Sequence, residues 1–221
     1  MTVTDLTAKG KSMTTVWLDG KKVGVLSRKD VSVCGLDLGV ELSAEQWKKI
    51  ESERILPRGR QKALELLQLQ DRTTKELHDR LLLADYTEEQ VWEIIAYVMS
   101  FHYIDEDRFV DNYIRNHART KSRREIQRAL LLKGIETPAV DAAYRRYEQE
   151  RREASEAGDA TESAETAAVR QFVANRIRGA EMTPEKRKKI FAALMRKGFA
   201  YGSIRTVLSE YGAEVDYEEN F

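Results

Sequence analysis

Three histidines, a single cysteine and one run of adjacent acids are the residues of this 221-residue chain best suited to chemistry. Asp105-Glu106-Asp107 could supply a general acid and base or ligate a metal ion. The run also opens a stretch of helical periodicity, where negative charge offsets the unpaired N–H groups and positive dipole end of a helix start. No second acidic cluster has a comparable setting, so the helix-start reading is adopted. His78, His102 and His117 stand far apart without HExxH spacing, and no metal site is expected. Cys34 alone can form neither a disulfide within the chain nor a cysteine metal site, which fits a reducing cytosol. Walker A, GxGxxG and GxSxG patterns are missing. The expectation is a protein that is not an enzyme, holds no cofactor or metal and does not hydrolyse ATP itself.

The basic runs carry more information. From Arg115 to Lys133 the cations Arg115, Arg119, Lys121, Arg123, Arg124, Arg128 and Lys133 meet only Glu125. From Lys186 to Arg205 stand Lys186, Arg187, Lys188, Lys189, Arg196, Lys197 and Arg205 with no acid. Solvated helix faces usually mix signs in i,i+4 pairs, and these do not. Two readings stay open: a surface for a polyanion or acidic partner, or a plain solvated face. Under the first, the contacts fall on Arg115, Arg119, Lys121, Arg123, Arg124 and Arg128, with Lys186, Lys188, Lys189 and Lys197 as a second cluster. Formal net charge is zero, so polyanion binding must come from uneven distribution. Phe109, Tyr113, Phe191 and Phe199 sit at core spacing and read as packing, not as base-stacking platforms.

The elements that must position these residues are mostly helical. Hydrophobic residues make up 42% and charged residues 33%, with three prolines, which suits a helical protein with a core. The start lacks a signal-peptide core and no run of about 18 apolar residues occurs, so a cytoplasmic protein away from membranes is expected. Residues 1–13 are polar and read as mobile. Thr15-Val-Trp17-Leu and Lys22-Val-Gly-Val-Leu26 flank Asp19-Gly20, which suits a type I′ hairpin. Val31-Ser-Val33 follows, then a capping-box spacing at Ser43-Ala-Glu-Gln46 that predicts a helix over 44–55, ended by Pro57 and Gly59. Two or three short strands are not stable alone, so this unit must lean on the helices after it.

A repeat follows. With Leu77, Ile126 and Ile190 as position zero, position four holds Leu81, Leu130 and Leu194, and position nine holds Tyr86, Ile135 and Phe199. Position fourteen holds Val91, Val140 and Ile204, and position eighteen Ile95, Tyr144 and Leu208. All are apolar. Position eight holds Asp85, Gly134 and Gly198, which tolerate the left-handed end of a helix. Each unit also has a preceding helix, over 60–70, 105–119 and 165–177. Thr73, Thr87 and Ser122 open capping boxes, and Thr137-Pro138 and Thr183-Pro184 place threonine at a cap and proline in the first turn.

The expected fold is mainly α, three tandem three-helix repeats forming a curved elongated body after a small β-hairpin and helix unit. The boundaries are 1–57, 58–104 and 105–147, then an acidic linker or helix extension over 148–165, and 166–221 with an acidic tail at Glu214, Asp216, Glu218 and Glu219. The last two repeats are offset by 64 residues against 49 for the first two, which leaves the third room to move relative to the others.

The segment Met99–Ile135 resembles the RecX family. An apolar helix end passes through Tyr103-Ile104-Asp105 and Asp107-Arg108-Phe109, then Lys121, then Leu131-Leu-Lys-Gly-Ile135, with weaker similarity from Ala63 to Tyr211. His102 and Asp85 depart from the glycine-bearing pattern usual there. The resemblance implies the same three-repeat architecture and a partner: RecX-like proteins bind RecA filaments on single-stranded DNA, lie in the filament groove and suppress ATP hydrolysis, strand exchange and coprotease activity. A monomer contacting that filament, with weak affinity for single- or double-stranded DNA, is what the resemblance implies. The alternatives are a DNA-binding repeat module acting without RecA and an adaptor whose groove takes a peptide helix.

Overall fold

The computed structural model describes residues 1–156, 162–179 and 181–211. The chain divides into two compact units, Met1–Glu106 and Asp107–Phe221.

The first unit begins with an antiparallel sheet in the order β1 (Val3–Lys9), β2 (Met13–Leu18), β3 (Lys21–Ser27). The β2–β3 hairpin turns at Asp19-Gly20 with φ of 49° and 76°, the type I′ geometry that Asp-Gly favours. The mobile lead expected over residues 1–13 is corrected: most of it is β1, with Leu6 opposite Val16 and Lys9 opposite Met13. Only Val3 of that strand is buried. Its polar sequence hides a strand held by main-chain bonds, as an edge strand can be. Val31-Ser-Val33 is instead part of helix α1 (Arg28–Val33), whose Ser27 cap accepts from the Asp30 N–H.

Helix α2 (Ala44–Ile50) has the expected Ser43–Gln46 capping box. It does not stop near Pro57. A π-helical turn over Glu51–Ile55 leads directly into α3 (Leu56–Leu69). The Leu56 N–H bonds to the Glu51 carbonyl, five residues back, and Pro57 sits in the first turn of α3, where a missing N–H is least costly. Gly59 is a packing residue, since a Cβ there would lie 2.2 Å from Ile94 Cδ1. After α3 come α4 (Thr74–Leu83) and α5 (Glu88–Ser100). Sheet residues Val16, Leu18, Val25 and Leu26 share one core with Leu77, Leu81, Ile94 and Ile95, so the small sheet buries its apolar face against these helices.

The second unit holds two helix triplets. Helices α6 (Glu106–His117), α7 (Arg123–Leu132) and α8 (Thr137–Glu156) enclose Val110, Ile114, Ile126, Leu130 and Val140. Helices α9 (Ala164–Ile177), α10 (Pro184–Lys197) and α11 (Tyr201–Ser209) enclose Val169, Val173, Ile190, Leu194 and Ile204. All fifteen repeat positions named above are buried. Asp85, Gly134 and Gly198 carry φ of 71°, 87° and 85°, the left-handed turn expected at position eight. His102 takes φ 55° in the glycine-like place. Phe109 and Tyr113 are only half-buried, and Val110 takes the deep position on α6. The caps stand at Thr73, Thr87, Ser122 and Thr183. At Thr137 the helix begins one residue early: the Val140 N–H bonds to the Glu136 carbonyl, and Thr137 is the first helical residue. The segment over 148–165 is helical to Glu156; residues 157–161 and the acidic tail lie outside the described residues.

Candidate functional site

The basic surface of the second unit rests on the end of α6, on α7 and on α10. Helix α7 starts at a buried Ser122 whose Oγ accepts from the Glu125 N–H at 3.1 Å while donating to the Lys197 carbonyl at 2.5 Å. This ties the start of α7 to the end of α10. Lys197 Nζ returns the contact by donating to Glu125 Oε1. Burial raises the Glu125 carboxyl, but the Lys197 ammonium and the Ser122 N–H outweigh it and hold the group below its ordinary value. The Arg124 stem lies over Gly198, where a Cβ would come within 2.8 Å of it. The third triplet is thus joined to the second by a cap, an ion pair and a glycine contact.

The sequence-derived candidates fall into two groups. Arg115 gives two hydrogen bonds to Glu150 at 2.7 and 2.8 Å. Arg123 pairs with Asp141 at 3.0 Å and Glu148 at 3.6 Å, with its guanidinium 4.7 Å from the Tyr144 ring centre. Lys197 is committed to Glu125, and Lys186 Nζ donates to the Glu181 carbonyl at 3.2 Å. Lys121 stands 5.6 Å from the Tyr113 ring centre. By contrast, Arg119, Arg124, Arg128, Lys188 and Lys189 are exposed and have no ion pair among the described residues. Arg124 and Arg128 share one side of α7 at i,i+4 spacing. Arg187 points inward, buried, and donates to the Tyr211 carbonyl at 2.6 Å.

The acids that neutralise Arg115 and Arg123 come from α8, which also receives Asp107 and Asp111 of α6 on Arg146. Local counting of charges cannot reveal them, because the partners lie 18 to 35 residues away. The surroundings stay positive enough to act on His117, which burial, then Lys121 and Lys133, hold below the ordinary imidazole value. No group of three or more metal-ligating side chains occurs among the described residues, and none of their helices is long and apolar enough to cross a membrane.

Behind this surface lies a cavity of about 590 Å³, lined by Lys121, Arg123, Tyr144, Tyr147, Arg151 and Arg152 with Glu148, Ser163, Glu165 and Ala200. Sequence reading missed it. Arg151 and Arg152 fall in the charge-rich stretch read as an acidic linker or a helix extension, and their only signal is the RR pair on the continuing helical register of α8.

The family model described as "RecX, first three-helix domain" matches residues 60–97, covering most of α3 to α5. That match lies on the N-terminal side of the Met99–Ile135 stretch. The regulatory protein RecX of Clostridium botulinum (strain Alaska E43 / Type E3) is 19% identical over 211 residues, 95% of each chain. The regulatory protein RecX of Clostridium beijerinckii is 23% identical over 141 residues, 64% of this chain and 66% of that one. That of Streptococcus equi subsp. equi is 25% identical over 181 residues, 79% of this chain and 64% of that one. The chain thus spans just under two thirds of the latter two relatives. A crystal structure of regulatory protein RecX superposes with a TM-score of 0.60 at 20% identity, covering 94% of this chain and 98% of that one. RecX from Lactobacillus salivarius gives 0.52 at 27% identity, covering 71% and 96%.

Proposed function

Because this chain belongs to the RecX family, we propose that it is a regulatory protein that binds RecA filaments on single-stranded DNA and restrains them, without catalysis of its own. In this reading it acts as a monomer in the cytoplasm, needs no cofactor, and suppresses ATP hydrolysis, strand exchange and coprotease activity by lying in the groove or capping the end. The repeats over 58–104, 105–147 and 166–221 are its working units, and the third is held by the Ser122, Glu125 and Lys197 junction. The observation that carries the reading is the group of exposed cations Arg119, Arg124 and Arg128, which have no ion pair among the described residues. Several weak contacts along a repeating filament add up to useful affinity when one rigid unit makes them together.

The test is the single-strand-dependent ATPase of the cognate RecA, titrated with this protein well below one copy per RecA subunit. Strong inhibition is expected, and the Arg119→Glu/Arg128→Glu variant should lose at least tenfold in potency while keeping its far-UV circular dichroism. Arg124 is left in place because its stem packs on Gly198. Full inhibition by the variant would remove this surface from consideration, and no inhibition by the parent chain at equimolar ratio would remove the regulator reading.

A further inference from the structure

A separate cavity lies in the first unit, away from the basic surface. It encloses about 500 Å³ between the sheet and α3, over the turn that joins α4 to α5, a size within the range of small-ligand sites. Met13 and Val25 of the sheet line it, with Ala84 and Tyr86 of the turn. The polar lining comes from one side of α3, where Arg58, Lys62 and Glu65 recur at helical spacing, and from Lys9 at the end of β1.

Two of the three cations are already engaged. Lys9 Nζ lies 2.6 Å from the Asp85 carboxylate and donates to the Leu83 carbonyl at 2.9 Å. Lys62 stands 4.0 Å from Glu65, which also accepts from the Gln61 amide at 3.2 Å. Arg58 is exposed and has no ion pair among the described residues. The uncompensated charge of the lining is thus that of a single guanidinium. Tyr86 supplies a second group. It is only 3% exposed, and its ring lies against Gly59, where a Cβ would come within 3.1 Å of Cε1. Its hydroxyl has no hydrogen-bond partner among the described residues. The charges that act on that hydroxyl are those of Arg58 and Glu65, and burial, the largest cause, raises it above the ordinary phenol value. The equivalent positions of the other two repeats hold Ile135 and Phe199, so the fold asks for an apolar residue here and makes no use of the hydroxyl. A buried polar group without a partner calls for an explanation.

A guanidinium and a phenol hydroxyl beside an apolar lining suit an amphiphilic monoanion. The guanidinium can give a carboxylate two parallel bonds, the hydroxyl adds a third, and an apolar chain covers Met13, Val25 and Ala84. A polyanion fits poorly, because Glu65 stands on the same wall and the other two cations are engaged. We propose that this cavity binds a small organic acid with one carboxylate and an apolar chain, of the class of a medium-chain fatty acid, its carboxylate held by Arg58 and Tyr86. The site involves neither RecA nor nucleic acid, so it stands or falls apart from the regulator reading.

The experiment is isothermal titration calorimetry of the full chain with octanoate at neutral pH, RecA being absent. Saturable binding is expected. Arg58→Gln should weaken it by about tenfold or more, since a charge-assisted pair is lost, and Tyr86→Phe by about fivefold, for one hydrogen bond. Tyr86→Phe should leave the urea midpoint where it is, because the hydroxyl has no partner within the fold. Octanol, which lacks the charge, and suberate, which carries a second carboxylate into the apolar end, should each bind roughly tenfold more weakly than octanoate. The site would be overturned by the lack of saturable octanoate binding, by octanol or suberate binding as tightly as octanoate, or by either variant binding octanoate as tightly as the parent chain.

Discussion

At the turn between α4 and α5, Asp85 holds φ +71° where the equivalent turns carry Gly134 and Gly198. The strain has a counterpart in its carboxylate, which lies 2.6 Å from Lys9 Nζ and accepts from the Thr15 hydroxyl at 3.0 Å. Aspartate tolerates the left-handed region better than most residues, so one side chain both closes the turn and fastens it to the sheet. His78 on α4 is a second residue whose type is informative only in place. Nε2 lies 2.7 Å from Glu88 on α5 and Nδ1 lies 3.4 Å from Asp79, with the ring 5.0 Å from that of Trp92. The hydrogen bond to Glu88 is the main cause that raises the imidazole above its ordinary value, against a smaller lowering by burial. A raised folded value means that the protonated form is favoured by folding. The stabilisation is therefore full below the unfolded value near 6.5 and fades as pH rises through the folded value. His78→Gln should destabilise the protein at pH 5.5 and have little effect at pH 9, as urea titrations at the two pH values would show. The parent chain should also brighten in tryptophan fluorescence across that rise, as the cation beside Trp92 is lost. An equal cost of the substitution at both pH values would show that the histidine contributes by packing alone.

Among the elements, the helices of the repeat could be read from sequence because burial imposes the same apolar positions three times, from Leu77 to Leu208. The capping boxes were equally legible, since a cap is a local bond between residues three apart. Strand β1 was not, because its pairing depends on main-chain groups that any sequence supplies. Nor was the passage through Pro57, which depends on a five-residue turn that relocates one hydrogen bond. At the candidate surface the cations were legible and their partners were not: Glu148 and Glu150 belong to α8 only once that helix runs on to Glu156. The junction at Ser122 is where local and distant structure meet, as the hydroxyl both caps α7 and serves the Lys197 carbonyl. Ser122→Ala removes the cap and leaves that carbonyl short of a donor, at a cost of about 2 kcal/mol. Ser122→Thr keeps both bonds and should cost well under half of that. The urea midpoint of the full chain measures the difference, and an alanine variant as stable as the threonine one would show that the Ser122 hydroxyl adds nothing to the junction of α7 and α10.

Over the whole molecule, zero net charge conceals an uneven division. Residues 1–106 carry 15 Lys and Arg against 18 Asp and Glu, and residues 107–221 carry 22 against 19. The excess of cations thus belongs to the unit that bears Arg119, Arg124 and Arg128, and the excess of acids to the unit that bears the sheet. Screening confines the pull on a polyanion to about 8 Å at physiological salt, so a bound chain responds to the local surface and not to the total. Two variants with the same change in net charge should therefore behave differently. Arg119→Glu/Arg128→Glu reverses exposed cations of the second unit, and Lys48→Glu/Lys49→Glu reverses exposed cations on α2 of the first. On a heparin column at neutral pH the first pair should elute at clearly lower salt than the parent chain. The second should elute close to the parent, because α2 already lies in acidic surroundings with Glu45, Glu51 and Glu53 nearby. Equal shifts for both pairs would mean that net charge alone governs polyanion affinity, and the basic surface would then be an ordinary solvated face.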